Sequence, residues 1–279
     1  MRRAAWSAVL ASILLSICAA VAGAGWEAGT KAGFDTNLSR SVRDGKGDGY
    51  LSAYAGYSRE PSGETRLDWI FAAVAEGTIY ARLDDLDSAA ITVSPGLLHV
   101  PWPGWSVTLA PFLQAKSFRD TAQSAVAFGG KAQVKQRVGE KSYLAESYAY
   151  TDSRASNDTF SFTEHALGAL VGVNWTPRLA TEAGYEFSRG DSFRSVGTVS
   201  PSTGGMGGFG GFMDQGMFSS AFGTEVVKER VNRHAIGLTA TYEWSRSIAG
   251  VAGYNFSVAR GDLGSSNSHS GFVGLGYRF

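Results

Sequence analysis

The sequence holds one cysteine, Cys18, only seven prolines and four histidines, and its 25 basic residues balance 25 acidic ones. Each shortage excludes something. One thiol can form neither an intrachain disulfide nor a thiolate metal site. A formal net charge of zero gives no basic footprint, so nucleic acid is not expected as a partner. Beyond residue 24 no apolar run reaches the roughly 18–20 residues that a membrane helix needs, which excludes a helical membrane protein. No H-E-x-x-H pair and no phosphate-binding strand–loop–helix unit occurs, so no metal, cofactor or catalytic residue is assigned.

What is present starts with Arg2 and Arg3, continues as an apolar run from Ala8 to Val21, and exits through Ala22-Gly23-Ala24. That is the layout of a secretory signal peptide with an A-x-A cleavage site. Residues 1–24 are therefore expected to be a cleaved leader and 25–279 a single domain. Ile17 stands where lipid attachment to Cys18 would want a small residue, so Cys18 is expected to leave with the leader. The remainder is then about two charges negative, since Arg2 and Arg3 leave as well.

Glycine (36 residues) and aromatics (12%) are abundant, and apolar and polar residues alternate with a period of two. Twelve such segments fall at about 25–37, 48–59, 65–79, 88–100, 105–117, 123–138, 143–152, 159–175, 179–190, 231–244, 248–260 and 268–279. Every second connection is short: Glu60–Glu64, Pro101–Gly104, Gly139–Ser142, Thr176–Arg178 and Ser245–Ser247. The connections between them are mostly longer and rich in Asp, Ser and Asn. Membrane barrels have short periplasmic turns and longer outer loops, with an even strand number placing both termini at the periplasmic end. Strands that close into a barrel satisfy every backbone group in lipid, and polar lumen residues average the mean hydropathy to −0.08. The expected fold is all-β, a transmembrane antiparallel up-and-down barrel of about 12 strands.

The last strand carries the most specific signal. Gly271, Val273, Leu275, Tyr277 and Phe279 share one face and end in two aromatics. The stretch resembles the closing strand of bacterial outer-membrane β-barrels, whose C-terminal signal has a terminal Phe after alternating apolar residues. The resemblance implies an outer-membrane location in a Gram-negative bacterium, contact with outer-membrane lipids, and Tyr277 and Phe279 as the signal read by the barrel-assembly machinery. Ala32–Arg40 likewise looks like the first strand of several barrel families, and carries no functional residue across.

Lipid-facing sets include Leu67/Trp69/Phe71, Leu167/Ala169/Val171/Val173/Trp175 and Ile236/Leu238/Tyr242/Trp244. Trp26, Trp105, Trp175, Trp244 and Tyr277 fall at periplasmic strand ends, the girdle expected of a spanning barrel. The opposite faces carry the charges. Lys31, Arg66, Asp68, Lys116, Lys131, Lys135, Arg137, Glu164, Glu182, Glu186 and Glu243 are expected to line a wet lumen, and Glu27, Asp35, Glu76, Glu146 and Arg278 are assigned to the same face. Basic residues gather on the fifth and sixth segments and acidic ones on the seventh to tenth. Facing rows of opposite charge would orient solutes in a pore; plain ion pairs holding the interior together are the alternative.

The connection at about 190–230 is the outlier, with a Gly-, Met- and Phe-rich core. Its Met206, Phe209, Phe212, Met213, Met217 and Phe218 are expected either to constrict the mouth or to dock on a partner, a floppy surface loop being the plain alternative. Phe222 would also be poorly placed in open water. The methionines are read as flexible apolar filler in preference to a copper site.

Function is less legible. The first expectation is a passive channel for small polar or charged solutes. The second is a non-enzymatic scaffold barrel of an export or electron-transfer complex, with a periplasmic or surface protein as partner. The third is an outer-membrane lipid hydrolase using His165, His234 or His269, all on the outward face near outer strand ends. No serine stands two residues from any of these histidines on its own strand, so headgroup contact is preferred to catalysis.

Overall fold

A computed structural model describes residues 25–59, 61, 65–196, 217–219 and 221–279. The strands are β1 (Trp26–Asp35), β2 (Asp48–Arg59), β3 (Leu67–Tyr80), β4 (Ser88–His99), β5 (Trp105–Phe118), β6 (Ala125–Val138), β7 (Ser142–Ala155), β8 (Phe162–Thr176), β9 (Leu179–Val196), β10 (Met217–Ser219), β11 (Thr224–Glu243), β12 (Ile248–Gly261) and β13 (Gly264–Arg278). Every one but the short β10 belongs to a closed antiparallel barrel of twelve strands. β9 pairs directly with β11, and β1 closes on β13 through a register that sets Ala28 opposite Tyr277 and Phe34 opposite Gly271. Closure leaves no strand edge, the condition for crossing lipid as a sheet.

The two-residue period decides which side each residue takes. Outward positions are apolar and bare: Trp69 and Val273 are each 63% exposed, and Leu167, Trp175, Ile236 and Leu275 are exposed as well. In a water-soluble protein such a continuous apolar exterior would be a severe liability. Here it forms the belt that meets acyl chains. Trp26, Trp105, Trp175 and Trp244 stand at the end of the barrel where β1 begins and β13 ends, as the girdle rule requires.

The inward face explains the glycine content. Tyr54 lies opposite Gly29, Tyr50 opposite Gly33, Phe112 opposite Gly129, Tyr143 opposite Gly172 and Phe272 opposite Gly253. A Cβ on Gly172 would come within 2.2 Å of the Tyr143 ring, and one on Gly253 within 2.4 Å of the Phe272 ring. Each glycine is thus a seat that lets an aromatic ring lie along the wall of the barrel.

Three boundaries differ from the sequence expectation, all at the outer end. β9 and β11 run on to Val196 and from Thr224, so much of 190–230 is paired strand. Their tips carry no clean apolar face, because they stand beyond the belt, and the period is silent there. β12 and β13 also meet in a two-residue turn, Asp262–Leu263, where a longer loop was expected. Polar residues on both sides of that hairpin, such as Ser265, Ser266 and Asn267, read as loop yet pair fully with β12.

Candidate functional site: a capped polar chamber at the outer mouth

Five outer connections turn inward. Residues 81–87, 119–124 and 156–161 each contain one turn of 3-10 helix, and Asp120 and Asn157 cap two of them by accepting from Ala122 and Thr159 N–H groups. These turns place Leu86 and Phe160 over the lumen, where they meet Ala221, Phe222 and Val226. Phe222 is 1% exposed and Val226 fully buried. Leu38, Tyr80, Leu83, Ala122, Ala155, Phe193 and Met217 pack around them. Phe193 stacks on Phe222 at 5.6 Å and meets Phe160 edge-on at 5.3 Å. This is the largest apolar cluster among the described residues, and it is a cap across the mouth.

Polar contacts hold the cap down. Asp48, 1% exposed, accepts from the backbone N–H groups of Arg82 and Leu83 at 2.7 Å, tying the β3–β4 connection to β2. Lys46 Nζ donates to the Phe222 carbonyl. Arg194, 1% exposed, sets Nε 2.6 Å from Glu229 Oε1, itself 7% exposed, and donates from Nη1 to the Gly264 carbonyl at 3.1 Å. Glu229 Oε2 accepts from Leu263 N–H at 3.1 Å. One buried ion pair thus pins the protruding β9–β11 hairpin to the β12–β13 turn.

Beneath the cap lies a polar chamber of about 370 Å³. Its charged lining is Asp35, Arg40, Lys116, Glu164, Asp191, Arg194 and Arg233. Arg40 reaches in from the first connection, where its φ of 53° turns the chain, and donates to Ser192 Oγ at 2.7 Å. Arg233 bridges Glu186 at 2.8 Å and Glu164 at 3.6 Å. Sequence reasoning missed both arginines. Arg233 has the inward parity of its strand and was findable; Arg40 sits outside any periodic segment and was not.

Of the residues expected to face the lumen, Lys116 and Glu164 line this chamber. Lys31 lies lower, between the Tyr54 and Phe272 rings at 5.4 and 5.7 Å. Lys135 sits 3.7 Å above the Tyr143 ring, whose hydroxyl donates to Glu182. Arg137 donates to the Glu140 carbonyl at 3.2 Å. Lys131 shares the inward parity of β6, and Asp68 that of β3, where it accepts from the Trp69 N–H at 2.8 Å. Arg66 precedes β3 at the periplasmic rim, its carbonyl accepting from Val100 N–H, and Glu243 ends β11. The basic β6 and acidic β9 stand three strands apart, a quarter of the circumference, and β5 and β11 five strands apart. Of the long connection, Met217 packs against the cap; Met206, Phe209, Phe212 and Met213 lie outside the described residues, as does the side chain of Phe218.

Glu146 corrects an expectation. Its cross-strand partners are Val134 and Ala169, both outward, and it is exposed between them on the lipid-facing wall. Alternation on β7 is weak, and Tyr143, whose hydroxyl donates to Glu182, decides the parity. A carboxylate against lipid costs free energy, less than a lysine would. Glu146→Leu is therefore expected to stabilise the barrel by about 1–2 kcal/mol, read as a higher urea midpoint in lipid vesicles. A lower midpoint would mean that the carboxylate has a partner in the membrane.

His165, His234 and His269 are outward and exposed, as expected. Each shares an Nδ1 hydrogen bond with a tyrosine hydroxyl: Tyr148, Tyr185 and Tyr254 respectively. Among the described residues none is bonded to a serine.

No protein-family model matches the sequence, and no curated protein matches it. Solved structures do share the fold. An outer-membrane channel of Pseudomonas putida F1 superposes with a TM-score of 0.56 at 10% identity, over 93% of this chain and 97% of that one. The KdgM porin gives 0.51 at 10% identity, over 91% and 99%. The same porin in complex with disordered oligogalacturonate gives 0.50 at 10% identity, over the same shares. At such identities the likeness is one of fold: the chain has the barrel of outer-membrane channels.

Proposed function

We propose that the protein is a passive outer-membrane channel for small polar or charged solutes, selecting at the chamber beneath the cap. The observation that carries this is the chamber itself, a charged cavity of about 370 Å³ on the barrel axis, where a fixed set of charges meets any solute that enters. The lumen below supports it: inward rings lie flat on glycine seats, and Lys131, Lys135 and Arg137 present charge along one strand. One porin of this fold was solved with oligogalacturonate, a solute of the proposed kind.

The test is ion current through purified protein in a planar bilayer. Wild-type protein is expected to conduct, and a chain lacking residues 200–222 to conduct more. No current in either form would overturn the reading. Changing Lys131, Lys135 and Arg137 together to Glu is expected to move the reversal potential in a salt gradient toward cations, because three fixed charges change sign on one wall.

A further inference from the structure

The outer wall carries a unit repeated three times. Tyr148, Tyr150 and His165 form the first copy on β7 and β8; Tyr185, Phe187 and His234 the second on β9 and β11; Tyr254, Phe256 and His269 the third on β12 and β13. In each, the tyrosine hydroxyl meets the imidazole Nδ1, at 2.8, 2.7 and 2.7 Å. The cross-strand aromatic packs on the imidazole ring, with centroids at 5.1, 5.2 and 4.7 Å. Two contacts fix each ring and leave Nε2 turned away from the tyrosine, without a protein partner among the described residues; with the tyrosine hydroxyl donating to Nδ1, Nε2 carries the proton and can donate.

The three histidines stand at one depth. From His165 the register runs through Arg189 to Asn232, and His234 lies two residues further along β11. From His234 it runs through Val258 to Asn267, and His269 again lies two residues further. Two residues of strand over two interstrand steps is a slope of about 35°, which is the tilt of strands in membrane barrels. On their own strands, Trp175, Trp244 and Phe279 each follow the histidine by ten residues. At that tilt the interval covers about 25 Å, the height of an apolar belt. The tryptophans mark its inner boundary, so the imidazoles mark its outer one, where headgroups begin.

Between the first and second copies stands a cation, Arg189. Arg189 is the direct partner of His165 and the diagonal neighbour of His234, putting its Cβ about 5 Å from the first and about 7 Å from the second. It is exposed, shares the outward parity of Tyr185 and Phe187, and has no bonded partner among the described residues. The nearby carboxylates are engaged elsewhere: Asp152 with Arg154 at 3.3 Å and Asp191 with Arg230 at 3.8 Å. A planar guanidinium between two fixed imidazole donors matches a tetrahedral oxyanion with several acceptors.

We propose that His165, Arg189 and His234 together hold the phosphate group of an outer-leaflet lipid headgroup on the outer wall of the barrel. The site is separate from the lumen, and the third copy is a built-in control, since Val258 stands where Arg189 would be.

The probe is phosphatidic acid, whose headgroup is a phosphomonoester, mixed into phosphatidylcholine nanodiscs holding the full chain. Lipid retained after transfer to detergent is counted by native mass spectrometry. Wild-type protein is expected to keep phosphatidic acid over phosphatidylcholine. Arg189→Ala and His234→Ala are expected to keep at least tenfold less, Arg189→Lys an intermediate amount, and His269→Ala as much as wild type. All three sites are on the surface, and heat-modifiable migration in gels checks that each variant is folded. Retention by Arg189→Ala equal to wild type would overturn the site. So would equal retention of phosphatidylcholine by the wild type. Inorganic phosphate displacing the lipid at equal concentration would overturn the lipid assignment and leave a free-anion site.

Discussion

Changing Phe222, Leu86 and Phe160 together to Ala is expected to raise single-channel conductance severalfold. These three side chains form the centre of the cap, and each comes from a different outer connection. Truncating one buried phenylalanine typically costs about 3–5 kcal/mol, and a cluster this small cannot absorb that loss three times. The barrel wall does not depend on it: twelve strands pair continuously below the cap, and closure leaves no edge to fray. The cap should therefore loosen while the barrel stays folded. Heat-modifiable migration in gels would confirm the intact barrel beside the bilayer recording. Unchanged conductance in a folded triple variant would show that the cap is not the narrowest point.

Arg194→Leu is expected to release the β9–β11 hairpin. The substitution leaves Glu229 buried without its cation, a loss of about 3–5 kcal/mol for such pairs. That corresponds to about a 10²- to 5 × 10³-fold larger open population of the hairpin, read as faster thermolysin cleavage within 190–230. Replacing both partners, Arg194→Leu with Glu229→Leu, is expected to restore most of the protection, because an apolar pair leaves no stranded charge. If the double variant is cut as fast as the single one, the ion pair is not the fastening. The Arg194 bond to the Gly264 carbonyl would then hold the hairpin in its place.

These two predictions concern a part of the molecule that the sequence barely showed. Wherever lipid lies on one side of a strand and water on the other, side-chain polarity must alternate, and the strands could be placed within a few residues. Trp175 and Trp244 could be assigned to a girdle for the same reason. Glu146 broke the rule because β7 alternates weakly, with tyrosines on both faces, and only the Tyr143–Glu182 contact settles its parity. The histidines were seen as outward, yet their tyrosine partners lie on other strands, at 17, 49 and 15 residues' separation, where a search along one strand cannot find them. The ten-residue interval from histidine to tryptophan to tyrosine, present twice as His165–Trp175–Tyr185 and His234–Trp244–Tyr254, was the available signal.

The linear chain, by itself, determined the barrel, because a two-residue period with apolar residues on one side leaves no other structure that satisfies the backbone in lipid. Tertiary structure decided everything that depends on residues far apart in sequence meeting at the mouth: the cap, the chamber, the buried Arg194–Glu229 pair and the cross-strand Tyr–His units. Beyond the belt there is no lipid to impose alternation. What a side chain does there is fixed by which loop it meets, and that is a property of the closed barrel.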